Sequence, residues 1–347
     1  MKNCKHLSIL PMKKKSKKYS PIVLAFLLLP ALLRADDHLQ TARKTVTKKI
    51  AMGKKVQLNI SNQYGDVIVQ RWKQKSAMVQ VTITGQSAKL QRANALIRYV
   101  KIETRNSPNA ISLETAIDTL SQHINASSGD QCHISYLIFV PENLKLSLTN
   151  RFGNIDVKSF DGDLTIDEKF GDLKIEHSSG PLSIDMEQGN VDIDRLTGGT
   201  LKFKGFTHVR IGELSGTVDA KFWSGGRVDL GLSDDLQKLS INADNLKPLS
   251  ITKLKMANAD LKIHSTASKI IYNGHILLKL SKVKPLPTDT VFITGKNDTS
   301  QKGREKLLNL KKISVTAMKN VDYTLKTGSA TNDIKIDASF CVVNVND

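Results

Sequence analysis

The sequence predicts an all-β protein whose central part is a parallel β-solenoid, with coils of about 18 residues and two strands per coil. Two observations predict this fold. A glycine returns every nine residues from Gly153 to Gly225, and only Thr207 interrupts the series. After most of these glycines, two apolar residues alternate with polar ones, as in the segment 164–166. A fixed period of this kind is the signature of a stacked repeat rather than of an ordinary globular domain.

The residues beside the glycines indicate that the nine-residue unit is half of a longer coil. Phe152, Phe170 and Phe206 precede the glycine position at multiples of 18 residues. Two alternating half-turns predict a coil with two glycine corners, and successive coils stack at about 4.8 Å. On this register, charges of alternating sign lie above one another on the outer surface: Asp156, Lys174, Asp192 and Arg210. Opposite charges on neighbouring strands stabilise a sheet by about 0.2–1 kcal/mol per pair, so this row specifies the register.

The first 35 residues predict an export signal. A basic segment at 13–18 precedes an apolar run at 21–33 that is too short to span a bilayer comfortably. Met12 is an alternative start, because a signal from Met12 to Ala35 has more typical proportions. No later segment is apolar for long enough to cross a membrane, so the mature chain is expected to be exported without a transmembrane segment.

The region between the signal and the solenoid is expected to be smaller and rich in β-structure. Apolar residues alternate with polar ones in segments such as 56–60, 79–83 and 133–140. One short helix is expected from Ser87 to Ile97, with Ser87 as its N-cap. The chain is therefore divided into an export signal at 1–35, a β-rich region at 36–140, the solenoid at 141–284, a loop excursion at 285–306 and strands at 307–347 that cap the stack.

The charge and the cysteines exclude some classes of function. The formal charge is +18, but the signal carries eight basic residues and no acidic one, so the mature chain has +10. Because no basic stripe is interleaved with aromatic residues, nucleic acid is not expected as a partner. Cys132 and Cys341 are the only cysteines after the signal, and the sequence leaves open whether they pair. Neither has a second ligand at the spacing of a zinc site.

No residue is predicted to be catalytic, to bind a cofactor or to hold a metal. Seven carboxylates are expected to point outward: Asp163, Asp167, Asp172, Glu176, Asp185, Asp192 and Asp194. The calcium-binding nonapeptide repeat needs paired glycines followed by an aspartate at set offsets, and no such run occurs. These acids therefore predict a solvated, register-setting face. The residues that follow corner glycines, such as Asn154 and Asp172, are expected to hydrogen-bond nearby backbone.

A parallel β-helix can also be a glycan-cleaving enzyme, which needs two suitably spaced carboxylates beside a sugar-binding groove. Many pairs of acids in this sequence could meet that distance, so the spacing of carboxylates does not distinguish an enzyme from a binding protein. The outer faces read mostly as Asp, Lys, Ser and Thr, without an aromatic platform, and Trp223 is expected to pack in the core or at a corner. The histidines are scattered, without triad or metal-ligand spacing. The sequence therefore favours a protein that is not an enzyme.

Two segments resemble the exported DUF4097-type β-strand repeat proteins, a family of candidate adhesins from Bacteroidota. The first runs from Leu58 to Val69, with the turn Tyr64–Gly65–Asp66, and is followed by Arg71–Trp72. The second runs from Val140–Pro141 to Ile155 and resembles that family's entry into its repeats. The resemblance implies a right-handed parallel β-solenoid, exported to the periplasm or outer surface of a Gram-negative bacterium. It brings no catalytic or ligand-binding residues with it.

The sequence supports three hypotheses about function. The first is an exported, non-enzymatic binding or scaffold protein whose rigid solenoid faces a polymer, such as a glycan, or a protein of the cell surface. The second is a periplasmic component of envelope stress or assembly that acts through protein partners. The third is a carbohydrate-active β-helix enzyme. A groove lined with aromatic residues would favour the enzyme.

Overall fold

The computed structural model describes residues 39–52, 56–117, 124 and 129–252 with their side chains, and further strands between 259 and 346 by their backbone. The predicted export signal, Cys341 and most of the predicted excursion at 285–306 lie outside the described residues.

The described residues form 23 strands and one short helix. The first part contains β1 (Gln40–Ala51), β2 (Gln57–Gln63), β3 (Val67–Arg71), β4 (Ser76–Ser87), helix α1 (Leu90–Arg98), β5 (Lys101–Asn106), β6 (Ala110–Ala116) and β7 (Gln131–Val140). The middle part contains β8 (Lys145–Arg151), β9 (Ile155–Val157), β10 (Leu164–Lys169), β11 (Leu173–Ser178), β12 (Leu182–Glu187), β13 (Asn190–Lys204), β14 (His208–Gly225), β15 (Arg227–Leu246) and β16 (Pro248–Thr252). The last part contains β17 (Ala259–Thr266), β18 (Lys269–Lys279), β19 (Phe292–Thr294), β20 (Leu307–Thr316), β21 (Val321–Lys326), β22 (Asn332–Ser339) and β23 (Val342–Asn346).

The middle part is a β-solenoid of about six turns of about 19 residues, as the sequence predicts. Each turn gives one strand to each of two parallel sheets. The front sheet contains β8, β10, β12 and the second halves of β13, β14 and β15. The back sheet contains β9, β11, the first halves of β13, β14 and β15, and then β16. Leu164 pairs with Leu146 and Leu182, which are 18 residues away on either side.

The core is a continuous apolar column between the two sheets. Inward residues alternate with outward ones along strands such as β10 and β12, which is the period of two that a half-buried strand requires. Leu173 and Ile175 of β11 are 1% and 0% exposed, and the corresponding residues of neighbouring turns are equally buried. Because backbone hydrogen bonds join each turn to the next on both sides, the interior strands have no free edge.

The stack extends beyond these turns at its N-terminal end. β2 and β3 pair in parallel with β8 and β9, so the segment 57–71 forms the turn that precedes residue 145. β6 and β7 pair with the other edges of β2 and β3 and add one more turn. β4 and β1 then extend the back sheet with antiparallel strands. The predicted β-rich region at 36–140 thus contributes turns to the stack instead of only preceding it.

The C-terminal end repeats this arrangement. β22 lies between β15 and β17, and β23 lies between β16 and β18. The last two strands in the sequence are therefore inside the stack. The antiparallel strands β20 and β21 pair with β17 and β18 at its end. Of the predicted capping strands at 307–347, β20 and β21 occupy the position expected of a cap.

The predicted helix is present, but its predicted start is wrong. Helix α1 begins at Leu90 and its N-cap is Lys89, without a side-chain cap. Ser87 instead ends β4 and is buried, because β4 pairs with β1 up to this residue. Ala93 and Leu96 are buried as expected, whereas Leu90 is 49% exposed.

The interruption of the glycine period at Thr207 coincides with a longer corner. This corner has three residues, 205–207, where the preceding turn has two, 188 and 189. The extra residue is Phe206, which is 3% exposed and packs edge-on against two aromatic rings of the core. Gly205 adopts the left-handed φ of this corner, so the phenylalanine after it turns inward.

The stack separates Cys132 from the segment that contains Cys341. Cys132 lies in β7, and Val342, the neighbour of Cys341, lies eight strands further along the back sheet. At about 4.8 Å per strand this is about 38 Å, whereas the Cα atoms of a disulfide are about 4.4–6.8 Å apart. A disulfide from Cys132 could not reach Val342, so we expect Cys132 not to pair with Cys341, which lies outside the described residues.

We expect the mature chain, residues 36–347, to contain two free thiols when it is purified without reductant. Burial raises the pKa of the Cys132 thiol to about 11, and since the thiolate is the reactive form, Cys132 should react slowly in the folded protein. Thiol titration in denaturant should give two equivalents, and the Cys341→Ser variant should give one. A mass that lacks two hydrogens, without covalent dimers, would show an internal disulfide and contradict the stack.

Candidate functional site

The predicted row of alternating charges is present on the outer side of the back sheet. Lys174 pairs with Asp156 on one side and Asp192 on the other, and Asp192 pairs with Arg210. One guanidinium nitrogen of Arg210 lies 2.5 Å from Asp192 and 3.2 Å from Asp194. These two carboxylates raise the pKa of Arg210.

Further ion pairs extend along the same face. Lys158 Nζ lies 3.0 Å from both Asp156 and Glu176, and these carboxylates raise the pKa of Lys158. In later turns His208 and Arg227 contact Asp229 at 2.8 and 2.7 Å. Several charges on the back sheet therefore bind one another, which leaves fewer of them available for a ligand.

The outer side of the front sheet is different. Four hydroxyl side chains lie above one another at successive strands, and we call them the hydroxyl row: Ser147, Thr165, Ser183 and Thr200. Thr165, Ser183 and Thr200 are exposed. In the described part of the chain, none of the four hydroxyls makes a hydrogen bond or contacts a charged partner. The row is therefore a straight array of unused donors and acceptors.

The seven acids predicted to face outward all lie outside the core. Several are bound to cations: Asp163 lies 3.0 Å from Lys145, and Asp185 lies 3.8 Å from Lys202. Within the residues that the structure describes, no group of three or more His, Cys, Asp or Glu side chains is arranged to hold a metal ion.

Side chains after the corner glycines connect successive turns. The backbone N–H of Asn154 donates to Asp66, that of Asp172 donates to Asn154, and that of Asn190 donates to Asp172, at 2.7–2.9 Å. These hydrogen bonds support the interpretation of Asn154 and Asp172 as structural residues. The bonds reach the next turn, 18 residues away, and not the residue's own corner.

The corners also expose an aromatic strip that the sequence analysis does not anticipate. The rings of Tyr64 and Phe152 are 5.4 Å apart, and those of Phe152 and Phe170 are 5.1 Å apart, with nearly parallel planes. Phe152 and Phe170 are 49% and 46% exposed. All three residues have a positive φ of 60–63°. The left-handed backbone turns these side chains outward, whereas Phe206 is buried.

A buried polar ladder lies on the inner side of the same corners. Asn62 Nδ2 donates to the carbonyl of Gly65 at 2.9 Å, and Asn150 Nδ2 donates to the carbonyl of Gly153 at 2.8 Å. Glu168 occupies the corresponding position in the next turn, with 0% exposure. Within the described residues, neither of its oxygens makes a well-formed hydrogen bond. Burial raises the pKa of the Glu168 carboxyl to about 9, although the nearby Asn150 amide acts in the opposite direction.

Two open hollows are found on the surface of the described residues. One, of about 860 Å³, lies over β1, β4 and β7 and is lined by polar side chains that include Arg43 and His133. The other, of about 670 Å³, contains Glu142, Asp161 and Asp163. Asp161 is bound to Arg71, and Asp163 to a lysine. Both carboxyl groups are therefore engaged by cationic side chains of the protein itself.

Trp223 faces outward on the front sheet and is half-buried between Lys204 and Asp244. It therefore does not lie in the core, which was one of its two predicted positions. Trp72 stacks on Phe139 and donates to the carbonyl of Ser76 at 2.7 Å.

In the part of the chain that is described, no helix is long and apolar enough to cross a membrane.

Comparison with known proteins gives structural neighbours but no family assignment. No protein-family model matches the sequence, and no curated protein matches it. A crystal structure of a candidate cell adhesion protein from Clostridium sporogenes shares 8% identity over 88% of this chain and 99% of its own, with a TM-score of 0.25. A candidate adhesin from Bacteroides fragilis shares 12% identity over 87% and 97%, with a TM-score of 0.38. A candidate lipid-binding protein from Parabacteroides distasonis shares 12% identity over 60% and 89%, with a TM-score of 0.33.

Proposed function

We propose that this protein is an exported, non-enzymatic binding or scaffold protein of the bacterial envelope, which presents its rigid solenoid to a polymer or to a protein partner. The observation that carries the proposal is the hydroxyl row on the front sheet. Its side chains repeat at the strand spacing of about 4.8 Å and have no protein partners. A repeating array of free hydrogen-bonding groups suits a ligand that itself repeats.

The difference between the two sheets supports this choice of surface. Both are equally regular, so regularity alone would favour neither. On the back sheet, however, ion pairs such as Arg210–Asp192 occupy the outward groups, and a ligand would have to break them. The front sheet also carries ion pairs, such as Lys202–Asp185 and Lys169–Glu187, but at the hydroxyl row beside them a ligand would displace only water, with little loss of hydrogen bonding.

A non-enzymatic function is supported by the contacts of the acids in the second hollow. Catalysis of glycan cleavage requires one carboxyl group that is protonated and a second that is charged, both facing the substrate. Asp161 and Asp163 are both paired with cations. Among the described residues, the carboxyl with a strongly raised pKa is that of Glu168, which is fully buried and cannot reach a substrate.

The proposal predicts that two arginines on the front sheet abolish binding to envelope material. We expect Thr165→Arg together with Thr200→Arg to weaken sedimentation with peptidoglycan sacculi or outer-membrane vesicles of the expressing bacterium by at least about tenfold, because the long side chains cover the hydroxyl row. Thr41→Arg with Thr47→Arg on β1 is the matched control, since both threonines are exposed and lie off the front sheet. Equal binding by all three proteins would contradict the front sheet as the binding surface.

The compartment is tested separately by protease shaving of intact cells that express an epitope-tagged copy. Digestion without lysis would support exposure on the cell surface and a glycan or neighbouring cell as the partner. Protection until the outer membrane is broken would support a periplasmic scaffold with envelope partners. Recovery of the protein in the cytoplasm with its first 35 residues intact would contradict export.

A further inference from the structure

The aromatic strip, formed by Tyr64, Phe152 and Phe170, is not required by the fold. The corner needs a residue with left-handed backbone whose N–H donates to the next turn, as Phe152 and Phe170 do at 3.0 Å. In the following turns Gln188 and Gly205 occupy the same position, with φ of 64° and 66°, and donate in the same way. The later turns therefore show that glutamine and glycine satisfy this corner.

At this corner an aromatic residue costs the folded protein conformational free energy that glutamine or glycine reduces or avoids. A left-handed backbone is unfavourable for bulky residues, because the side chain crowds the following carbonyl. Stacking with neighbouring rings offsets part of this cost. Even so, Phe152, which has a ring on each side, remains 49% exposed. Exposed aromatic side chains held in a strained backbone are typical of a site that binds something.

The size of the strip indicates a narrow ligand. The three rings lie at the same corner of successive turns, with steps of 5.4 and 5.1 Å between their centres. Since a whole aromatic side chain offers about 150–250 Å², these part-exposed rings present on the order of 200–300 Å². A stable protein interface buries about 800 Å² on each partner, so the strip alone is too small for a second copy of the chain or for another protein. A linear chain molecule that lies along the corner matches its shape.

The surrounding charges indicate a neutral ligand with many hydroxyl groups. On one side of the strip Arg151 is exposed, and on the other Asp66 and Asp172 carry carboxylates. Charges of both signs disfavour a polyanion or an anionic membrane. Arg151 can donate to hydroxyls, and although Asp66 and Asp172 each accept from a backbone N–H with one carboxylate oxygen, the other oxygen can accept from a hydroxyl. Neither of the two hollows described above includes the three rings.

We propose that the aromatic strip binds a neutral, linear glycan chain that runs along the solenoid axis. Sugar rings combine apolar C–H faces with peripheral hydroxyls. The C–H faces would contact Tyr64, Phe152 and Phe170, while the hydroxyls would bind Arg151 and the carboxylates beside the strip. This inference rests on the proposed function, because it names a ligand class and a second contact surface for the same binding protein.

The test is affinity electrophoresis of the mature chain in gels that contain hydroxyethylcellulose, laminarin, dextran or amylose. We expect at least one of these neutral glycans to retard the protein. The triple variant Tyr64→Gln, Phe152→Gln and Phe170→Gln should bind about tenfold more weakly, and Phe152→Gln alone should show part of that loss. Glutamine is chosen because Gln188 adopts the same corner conformation. Leu90→Gln, which removes an equally exposed apolar side chain on α1, is the control and should bind like the wild type.

The outcomes separate the two proposals. If the triple variant is as strongly retarded as the wild type while the Thr165→Arg, Thr200→Arg protein is not, the strip inference is overturned and the proposed function stands. If no neutral glycan retards the wild type but sacculi or vesicles bind it, the strip inference alone fails. The strip inference is also overturned if only heparin retards the protein, if the protein binds only phosphatidylglycerol vesicles, or if the wild type is a dimer and the triple variant is a monomer. Each of these results would assign the strip to another partner. Phe152→Gln serves as the decisive variant if the triple variant does not fold.

Discussion

Replacement of Gly153 by alanine is expected to destabilise the protein by about 3 kcal/mol or more, because the added methyl group has no space. A Cβ atom at this position would lie 2.1 Å from the carbonyl oxygen of Gly65 in the preceding turn. Gly171 meets the oxygen of Gly153 in the same way, at 1.8 Å. The contacted atoms belong to the backbone of the stack, so relief requires that two turns move apart. Urea unfolding should show a clearly lower midpoint for Gly153→Ala.

Gly205 provides the matched control, because it has a left-handed φ but no close contact with the backbone of a neighbouring turn. It is exposed, has a left-handed φ of 66°, and a Cβ atom there would meet only the flexible side chain of Gln188, at 3.2 Å. Gly205→Asn should therefore cost about 1 kcal/mol or less, since asparagine tolerates this conformation. A loss for Gly153→Ala no larger than that for Gly205→Asn would contradict the close approach of the turns as the reason for a glycine at position 153.

This separation of roles explains what the sequence could and could not predict at the corners. The nine-residue period identifies the glycines, but it does not tell whether each serves a turn conformation or a close contact. In the structure the residue before Gly153 or Gly171 carries the positive φ, and the glycine itself allows the turns to approach. The burial of Phe206 and the exposure of Phe152 then depend on where the left-handed residue falls, which the period does not specify.

The fold class, the coil length and the row of charges on the back sheet could be predicted because each follows from a periodic pattern in the chain. The pairing of β2 with β8 could not, since Leu58 and Leu146 are 88 residues apart and no period connects them. The aromatic strip was missed for the same reason, because Tyr64 reaches Phe152 only through this long-range pairing. One local signal was available: an aromatic residue, a glycine and then Asp or Asn recur at 64–66, 152–154 and 170–172.

Glu168→Gln is expected to stabilise the protein at neutral pH by about 3 kcal/mol. The carboxyl is fully buried without a well-formed hydrogen bond within the described residues, and burial raises its pKa from 4.5 to about 9. The neighbouring carboxylates of Asp167, Asp66 and Asp172 act in the same direction. Each pKa unit corresponds to about 1.4 kcal/mol. At pH 7 the carboxyl is ionised in the unfolded chain but protonated in the folded protein, and this difference lowers the free energy of unfolding of the wild type by about 3 kcal/mol.

The sign of the pH dependence follows from the two pKa values. Below about pH 4.5 the carboxyl is neutral in both states, and its ionisation does not affect stability. Between pH 4.5 and 9 the unfolded chain loses the proton while the folded protein retains it, so the wild type loses stability as the pH rises. The glutamine variant lacks this loss. Its amide can also donate to the carbonyl of Gly171, as Asn150 donates to that of Gly153.

The measurement is the free energy of unfolding of wild type and Glu168→Gln in urea at several values between pH 4.5 and 8.5. The difference should be small at the acid end and grow steadily towards the alkaline end. Glu187→Gln is the control with the opposite sign: Lys204 and Lys169 lower the pKa of the exposed Glu187 carboxyl, so its contribution is present at neutral pH and is lost on acidification. A difference between wild type and Glu168→Gln that does not change with pH would mean that Glu168 is already ionised, and hence that an unseen cation or water compensates its charge inside the stack.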